Sequence, residues 1–222
     1  SILEIHIKRI LKSKRITNLK VATTTESGSE KIVSIANRCG IEVFKGSVNN
    51  VLERFYYAAL SEKPDWIVRL TSDCPLIDPE VIDNVISFAL SNNLDYASNT
   101  LDPTFPDGID VEVFKFSTLD KAFRNAKLKS ELEHVTPYIW KNSSFKGGDI
   151  FISDCYKNKT DYSSYRLTVD TQEDFLVIQK LIGLFGIDAN WMTYVNGLEE
   201  HPEIKKINKL FQRNEGYNKS IK

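Results

Sequence analysis

The sequence predicts an α/β protein with a three-layer, mostly parallel, Rossmann-like sheet that is covered by helices on both faces. Strand-like and helix-like segments alternate along the chain, which is typical of a parallel sheet. Residues 66–71 form a nearly continuous apolar run, as expected of a strand buried on both faces. The 222 residues, 41% of them hydrophobic, suffice for one sizeable core. We therefore expect a single domain over residues 1–222, with a core to about 183 and a helical extension over about 184–222.

The elements of the first half follow from hydrophobic periodicity. The opening helix has Leu3, Ile7 and Ile10 on one face. Residues 19–25 are apolar and β-branched, which favours a strand, and Gly40 is a typical helix end. The predicted elements after the first helix are a strand over 19–25, a helix over 29–40, a strand over 41–44, a helix over 49–62 and a strand over 66–71.

Capping signals define the elements of the second half. Asp78 is a predicted N-cap, followed by a proline at the first helical position. Thr171 is the natural N-cap of a later helix, and Asp174 completes its capping box. The tail from His201 predicts one more amphipathic helix and then a frayed polar end. The remaining predicted elements are strands over 95–98, 109–116 and 165–170 and helices over 79–92, 117–127, 130–141 and 171–185.

Composition excludes several classes of function. The 29 Lys and Arg residues are balanced by 30 Asp and Glu residues, so the basic excess of a nucleic-acid-binding protein is missing. No apolar run approaches the roughly 20 residues that a membrane-spanning helix requires. The three cysteines are far apart and lack metal-ligand spacing, which indicates unpaired thiols in a reducing compartment. We therefore expect a cytoplasmic protein.

Two predicted strands end in an acid, at Asp73 and at Asp170. Taken alone, each acid is interpreted as a turn or cap residue. In open α/β sheets, however, ligands bind beyond the carboxyl ends of the strands. If the two strands are parallel neighbours, the two carboxylates meet at one rim, and Mg²⁺ with substrate phosphates is the typical occupant of such a site. From spacing alone, both interpretations stay open.

Two further segments contain candidate polar groups. Asp107-Gly108 is a turn signal, and Asp110 and Glu112 lie on the same face of the strand after it. On pattern alone, that face is the solvated side of an edge strand. His134 precedes an apolar helical stripe and is interpreted either as a structural histidine or as a base.

Six segments occur in an order that resembles a known family. They are "VATTT", "EVFKGSVNNVLERF", "IVRLTSDCPLIDPEVID", "DGIDVEVF", "SELEHVTPYI" and "RLTVDTQEDF". Over residues 1–183 the chain resembles the cytidylyltransferases of the spore-coat polysaccharide biosynthesis protein F type, relatives of the CMP-sialate and CMP-ketodeoxyoctonate synthetases. The resemblance implies a nucleotidyltransferase fold, similar to that of type A glycosyltransferases. It also implies Mg²⁺-dependent activation of an acidic sugar with CTP, for surface polysaccharide biosynthesis.

The resemblance also implies roles for individual residues. Asp73 and Asp170 match the acids that bind the catalytic Mg²⁺. The residues that match the nucleotide pocket are Thr23, Ser47 and Arg69. The residues that match the border of the sugar site are Asp110, Glu112 and His134. Relatives are often homodimers, and residues 100–116 are the expected interface.

One departure from the family concerns its phosphate-binding loop. The family opens with a strand and a glycine- and arginine-containing loop, whose N–H groups and cations hold the triphosphate. This sequence opens at the helix that should follow that loop. We expect the strand and the loop to precede Ser1 in the natural protein.

Three alternatives to a cytidylyltransferase were weighed. A glycosyltransferase that uses a nucleotide-sugar donor would typically carry Asp-x-Asp, whereas Ser72-Asp73-Cys74 contains one acid. A non-catalytic nucleotide- or sugar-binding module is the second alternative. A Rossmann-type dehydrogenase is set aside, because the sequence has no Gly-x-Gly-x-x-Gly.

Overall fold

The computed structural model of the protein describes residues 1–211 and 213. The helices are α1 (Ile2–Ile10), α2 (Ser29–Arg38), α3 (Val51–Leu60), α4 (Pro79–Ser91), α5 (Phe116–Asn125), α6 (Lys129–His134), α7 (Pro137–Lys141), α8 (Gln172–Phe185), α9 (Trp191–Glu200) and α10 (Pro202–Lys205). The strands are β1 (Lys20–Thr24), β2 (Glu42–Gly46), β3 (Trp66–Arg69), β4 (Tyr96–Ser98), β5 (Glu112–Lys115) and β6 (Ser153–Cys155).

The strands form two sheets. β1 pairs with β2 in parallel, and the second sheet has the order β3-β5-β4-β6. In that sheet β5 is antiparallel to both neighbours, whereas β4 and β6 are parallel. Among the described strands of this sheet, β3, β4 and β6 run in the same direction and β5 opposes them, so the sheet is mixed but mostly parallel in strand direction, as predicted. Residues 99–111 contain no helix to carry the chain across the sheet, so β5 runs opposite to β4.

Helices cover both faces of the four-stranded sheet, as the α/β prediction requires. Alternation along β4 and β5 sends Ala97 and Val113 to one side and Tyr96 and Phe114 to the other. The first side packs against apolar residues of α4, α8 and α9. The second side packs against those of α3, α5 and α7. The smaller parallel sheet packs against α1 and α2.

Three predicted elements differ from the structure. The segment 165–170 is extended but forms only an isolated bridge, between Arg166 and Asp107. The predicted helix over 130–141 is two short helices, because the backbone at Val135 adopts a positive φ of 71°. The predicted edge strand over 109–116 is the central strand β5, with a partner on each side. Its inward-facing Glu112 is consequently buried rather than solvated.

Several predictions stay open. β1 and β3 each have one hydrogen-bonded neighbour among the described strands, and the strand expected before Ser1 stays a prediction. The single domain and the homodimer stay predictions as well, although Phe105 and Ile109 of the expected interface are buried within the chain. The frayed end of the tail lies at residues outside the described ones.

Two properties of the whole chain bear on the predicted location. Cys39, Cys74 and Cys155 are free thiols. Every helix in the described part of the chain is too short or too polar to cross a bilayer. The cytoplasmic location stays a prediction.

Candidate active site

The end of β3 lies against the extended segment that leads to Asp170. The backbone carbonyl of Asp73 accepts hydrogen bonds from the Val169 N–H at 2.8 Å and from the Thr168 hydroxyl at 3.2 Å. Because Asp170 follows Val169, the main chain of Asp73 lies beside the residue that precedes Asp170. The structure thus brings the two acid-bearing segments together, at the carboxyl end of β3.

A close backbone approach adds Asp107 to this site. The Asp107 N–H donates to the Tyr165 carbonyl at 2.9 Å, and the Leu167 N–H donates to the Asp107 carbonyl at 2.6 Å. Gly108 has a φ of 100°, and a Cβ at this position would lie 2.5 Å from the backbone of Leu167. Only glycine fits such an approach. The Asp107-Gly108 turn therefore holds the Asp107 carboxylate next to the 165–170 segment.

Arg166 connects three carboxylates. Its Nη1 donates to Asp107 at 2.7 Å, its Nη2 donates to Asp170 at 2.7 Å, and its Nε donates to Asp174 at 2.8 Å. The side chain of Arg166 is 9% exposed. Burial opposes its charge, but the hydrogen bonds to Asp174 and Asp170 outweigh this effect and raise the pKa of Arg166. Arg166 thereby sets the position of the Asp170 carboxylate.

Asp174 plays the structural role that the sequence predicts. Its carboxylate accepts the Thr171 N–H at 3.1 Å, while the Thr171 hydroxyl accepts the Asp174 N–H at 3.2 Å. This reciprocal pair is the predicted capping box of α8. Asn208 donates to the same carboxylate at 2.9 Å, so the chain after α10 also reaches this site.

Asp110 is paired with an arginine from the C-terminal part of the chain. Arg213 Nη2 donates to the Asp110 carboxylate, and Arg213 Nη1 donates to the Phe105 carbonyl at 3.1 Å. Burial raises the pKa of Asp110 to about 7, against the opposing charge of Arg213. The negative charges of Asp107 and Asp73 act in the same direction as burial.

We call Asp73, Asp107, Asp110 and Asp170 the acidic cluster. Burial raises the pKa of Asp107, and the charges of Asp170 and Asp73 contribute to this rise, although Arg213 and Arg166 oppose it. The charges of these carboxylates therefore act on one another, and Arg166 links Asp107 with Asp170. The two arginines neutralise them only in part. The cluster is therefore a site that favours an additional cation.

The carboxylate oxygens of the acidic cluster fit a hard divalent ion such as Mg²⁺. Asp73 is half-buried, and the side chain of Asp170 is 55% exposed, so each can accept an external ligand. The described residues contain no group of three or more His, Cys, Asp or Glu side chains that could by itself hold a metal ion. Mg²⁺ does not require one, because one or two carboxylates with waters and substrate phosphates are its usual ligands.

A second cluster of polar side chains lies at β3 and β5, and we call it the Arg69 cluster. Arg69 and Glu112 face each other across the β3–β5 ladder and form an ion pair. The charges of both act on His134, whose pKa is lowered mainly by burial. The members of the Arg69 cluster are Arg69, Tyr96, Glu112, His134 and Thr136.

The predicted nucleotide residues Thr23 and Ser47 lie in the smaller sheet. Thr23 is a buried residue of β1, and Ser47 follows β2 directly. The Ser47 hydroxyl accepts the Asn50 N–H at 3.1 Å, and its carbonyl accepts Arg54 Nη1 at 2.9 Å. Within the described residues, no hydrogen bond or ion pair joins Thr23 or Ser47 to the acidic cluster.

Sequence reasoning missed four residues of the site. Asp107 was recognised only as part of a turn, and Arg166 only as part of a strand. Arg213 contacts Asp110 across 103 positions of sequence, for which no local signal exists. His6 of α1 is buried beside Asp73 and donates from Nδ1 to the Cys74 carbonyl at 2.7 Å. The one usable signal in the sequence is that Arg166 lies four residues before Asp170, the acid that ends the predicted strand.

Known proteins resemble this chain over most of its length. The family model described as "Cytidylyltransferase" matches residues 1–218. The chain is 40% identical to the uncharacterized protein MJ1063 of Methanocaldococcus jannaschii, over 93% of this chain and 83% of that protein. It is 31% identical to the spore coat polysaccharide biosynthesis protein SpsF of Bacillus subtilis, over 81% of this chain and 75% of that protein.

Solved structures show the same fold. A cytidylyltransferase from Leptospira borgpetersenii superposes with a TM-score of 0.86 at 35% identity, over 92% of this chain and 85% of that one. A CMP:2-keto-3-deoxy-manno-octonic acid synthetase complexed with CTP superposes with a TM-score of 0.57 at 12% identity, over 82% of this chain and 88% of that one. The family resemblance is thereby confirmed, and the chain belongs to the cytidylyltransferase family of nucleotidyltransferase enzymes.

Proposed function

We propose that the protein transfers the CMP group of CTP to an acidic sugar, releasing pyrophosphate, in a Mg²⁺-dependent reaction. The observation that carries this proposal is the geometry at the end of β3, where the Asp73 carbonyl accepts the Val169 N–H and Arg166 links Asp107 with Asp170. A site of this charge suits a divalent cation with the phosphates of a nucleotide.

The relatives support the choice of nucleotide and the biological role. One structural neighbour is a CMP-sugar-acid synthetase that contains CTP. One curated relative is named for spore coat polysaccharide biosynthesis. We therefore propose CTP as the donor, an acidic sugar as the acceptor, and surface polysaccharide as the destination of the product.

The chain's own residues bind and orient the reactants. Asp73 and Asp170 would hold Mg²⁺, which when bound neutralises phosphate charge and lowers the pKa of a coordinated hydroxyl. Arg166 keeps the Asp170 carboxylate in place through its 2.7 Å hydrogen bond. Thr23 and Ser47 border the nucleotide. A sugar oxygen attacks the α-phosphorus in line, the bond to the β-phosphate oxygen breaks, and the sugar hydroxyl proton is lost to solvent.

The test is the thermal stability of the full-length protein with CTP, UTP, GTP or ATP, each with and without Mg²⁺. A ligand at roughly 100 times its Kd that binds only the folded state adds about 2.7 kcal/mol to the free energy of unfolding. We expect stabilisation with CTP and Mg²⁺ together, and pyrophosphate release when a sugar acid is added. Stabilisation by a nucleotide diphosphate sugar but by no triphosphate would instead support glycosyl transfer. Stabilisation without any turnover would support a binding module.

A further inference from the structure

The guanidinium group of Arg69 is satisfied on one edge only. Its Nη1 is paired with Glu112 across the β3–β5 ladder. Its Nε is shielded from solvent and has no hydrogen-bond partner among the described residues. Leaving a buried donor unpaired is unfavourable, and more so when the donor is charged. A ligand that accepts hydrogen bonds would recover this cost.

Glu112 has little remaining capacity to bind a substrate. Its Oε1 accepts the Tyr96 hydroxyl at 2.7 Å and the Thr136 hydroxyl at 2.6 Å, and its Oε2 accepts Arg69. The ring of Phe55 lies 5.8 Å from the Arg69 guanidinium carbon and supports one face of it. Glu112 is therefore a positioning residue for Arg69.

A strained turn holds Thr136 in this network. Val135 has φ 71° and ψ −57°, and the Thr136 N–H donates to the His134 carbonyl at 2.8 Å, which closes a classic γ-turn. This conformation is rare and strained for a β-branched residue. Strain of this kind persists where the surroundings require it, and here the turn directs the Thr136 hydroxyl to Glu112.

We propose that the Nε–Nη2 edge of Arg69 binds an anionic group, a carboxylate or a phosphate, carried by the sugar substrate. This edge presents two parallel N–H donors, which match the two oxygens of such a group. Assigning the ligand to a sugar rests on the proposed function. It moves Arg69 from the nucleotide side, where the family resemblance placed it, to the sugar side.

The position of Arg69 relative to the acidic cluster supports the sugar side. Asp110 lies two positions before Glu112, the first residue of β5, and two positions of extended chain span about 7 Å. Their charges act on each other, since Glu112 contributes to the raised pKa of Asp110. A monosaccharide can therefore place its anionic group on Arg69 while its nucleophilic oxygen lies at the acidic cluster.

The first test measures anion binding without turnover. The full-length protein is melted with inorganic phosphate or with pyruvate, the smallest 2-keto acid. We expect one of the two anions to stabilise the wild type and not Arg69→Gln. Phosphate alone would indicate a sugar phosphate, and pyruvate alone a sugar acid. Arg124→Gln is the matched control, because Arg124 pairs with Asp120 on the exposed face of α5. No response of the wild type, or an equal response of Arg69→Gln, would overturn the proposal.

Arg69→Gln also leaves the Glu112 carboxylate without its cation, which can destabilise the fold. The double variant Arg69→Gln/Glu112→Gln removes both charges and is measured alongside. The role of Thr136 is tested by a second pair of variants. Thr136→Val should weaken binding of the responsive anion, whereas Thr136→Ser, which keeps the hydroxyl, should restore it. A loss of affinity in both would contradict the positioning role.

Measurements of turnover distinguish a failure of this inference from a failure of the proposed function. With CTP, Mg²⁺ and an anionic sugar, Arg69→Gln should raise the KM for the sugar about 10- to 100-fold, the value of a hydrogen bond to a charged group. The KM for CTP should not change. A rise in the KM for CTP alone would return Arg69 to the nucleotide site and refute the inference. Arg69-dependent anion binding without any turnover would refute the proposed function and leave the anion site intact.

Discussion

Substituting Gly108 tests the backbone approach on which the site depends. In Gly108→Ala, the new Cβ would lie 2.5 Å from the carbonyl carbon of Leu167 and from the nitrogen of Thr168. The φ of 100° adds roughly 1–2 kcal/mol of strain for a residue with a side chain. Forcing the two segments apart adds about 1–3 kcal/mol. We therefore expect the variant to lose about 2–5 kcal/mol of the free energy of unfolding.

Gly40 is the matched control for this substitution. It also has a positive φ, of 73°, but a Cβ there would meet no atom within 4 Å. Gly40→Ala should lose only about 1 kcal/mol, because the reduced freedom of the unfolded chain offsets part of the backbone strain. Urea denaturation followed by circular dichroism measures both variants. Equal losses would show that the approach of Gly108 to residues 167–168 contributes nothing, and would refute the reasoning.

Three further predictions concern the acidic cluster. Asp170→Asn should lower the rate of pyrophosphate release by about 10²- to 10³-fold without changing the unfolding midpoint by more than a few degrees, and a near-normal rate would remove Asp170 from the site. Arg166→Gln should lose about 3–5 kcal/mol of stability, because it leaves the buried carboxylate of Asp174 without a cation and Asp107 with Arg213 at 3.9 Å. The exposed ion pair between Arg124 and Asp120 should contribute less than about 1 kcal/mol. Similar losses of stability in Arg166→Gln and Arg124→Gln would therefore contradict this role of Arg166.

The third concerns pH. The pKa of Asp110 is raised to about 7 in the folded chain, so its folded form binds the proton more tightly than the unfolded form, and stability is lost as pH rises from about 4 to about 7. Asp110→Asn should remove this loss, which amounts to at most about 4 kcal/mol. Urea titrations of the ligand-free protein between about pH 4 and about pH 7, the range over which the difference develops, measure the change. A difference between the two proteins that does not vary with pH would contradict the assignment.

Local signals in the sequence predicted most element boundaries. Asp78 caps α4 by accepting the Glu80 N–H at 2.9 Å, as its position before Pro79 predicts. The capping box of Thr171 and Asp174 was likewise predicted from spacing and is present. These features depend on residues within one turn of each other, and for that reason a sequence pattern contains them completely.

Features that depend on pairing between distant segments were not predictable in this way. Alternation along 109–116 is the same for an edge strand as for a central one, so the pattern could not show that β5 lies between β3 and β4. The strand predicted over 165–170 does not form a ladder, because its neighbour is the irregular segment at Asp107. That segment supplies one isolated bridge.

The candidate site is a charge balance that no single segment contains. The pair between Arg166 and Asp107 spans 59 positions, and the pair between Arg213 and Asp110 spans 103. Without these arginines, Asp73 and Asp170 would be two isolated acids at strand ends, for which a capping role is the simpler interpretation. With them, Arg166 links the carboxylates of Asp107 and Asp170, and burial raises the pKa values of Asp107 and Asp110 against the charge of Arg213. The carboxylates repel one another in the ligand-free chain, and a bound divalent cation would relieve this repulsion. The cluster is therefore a favourable site for such a cation.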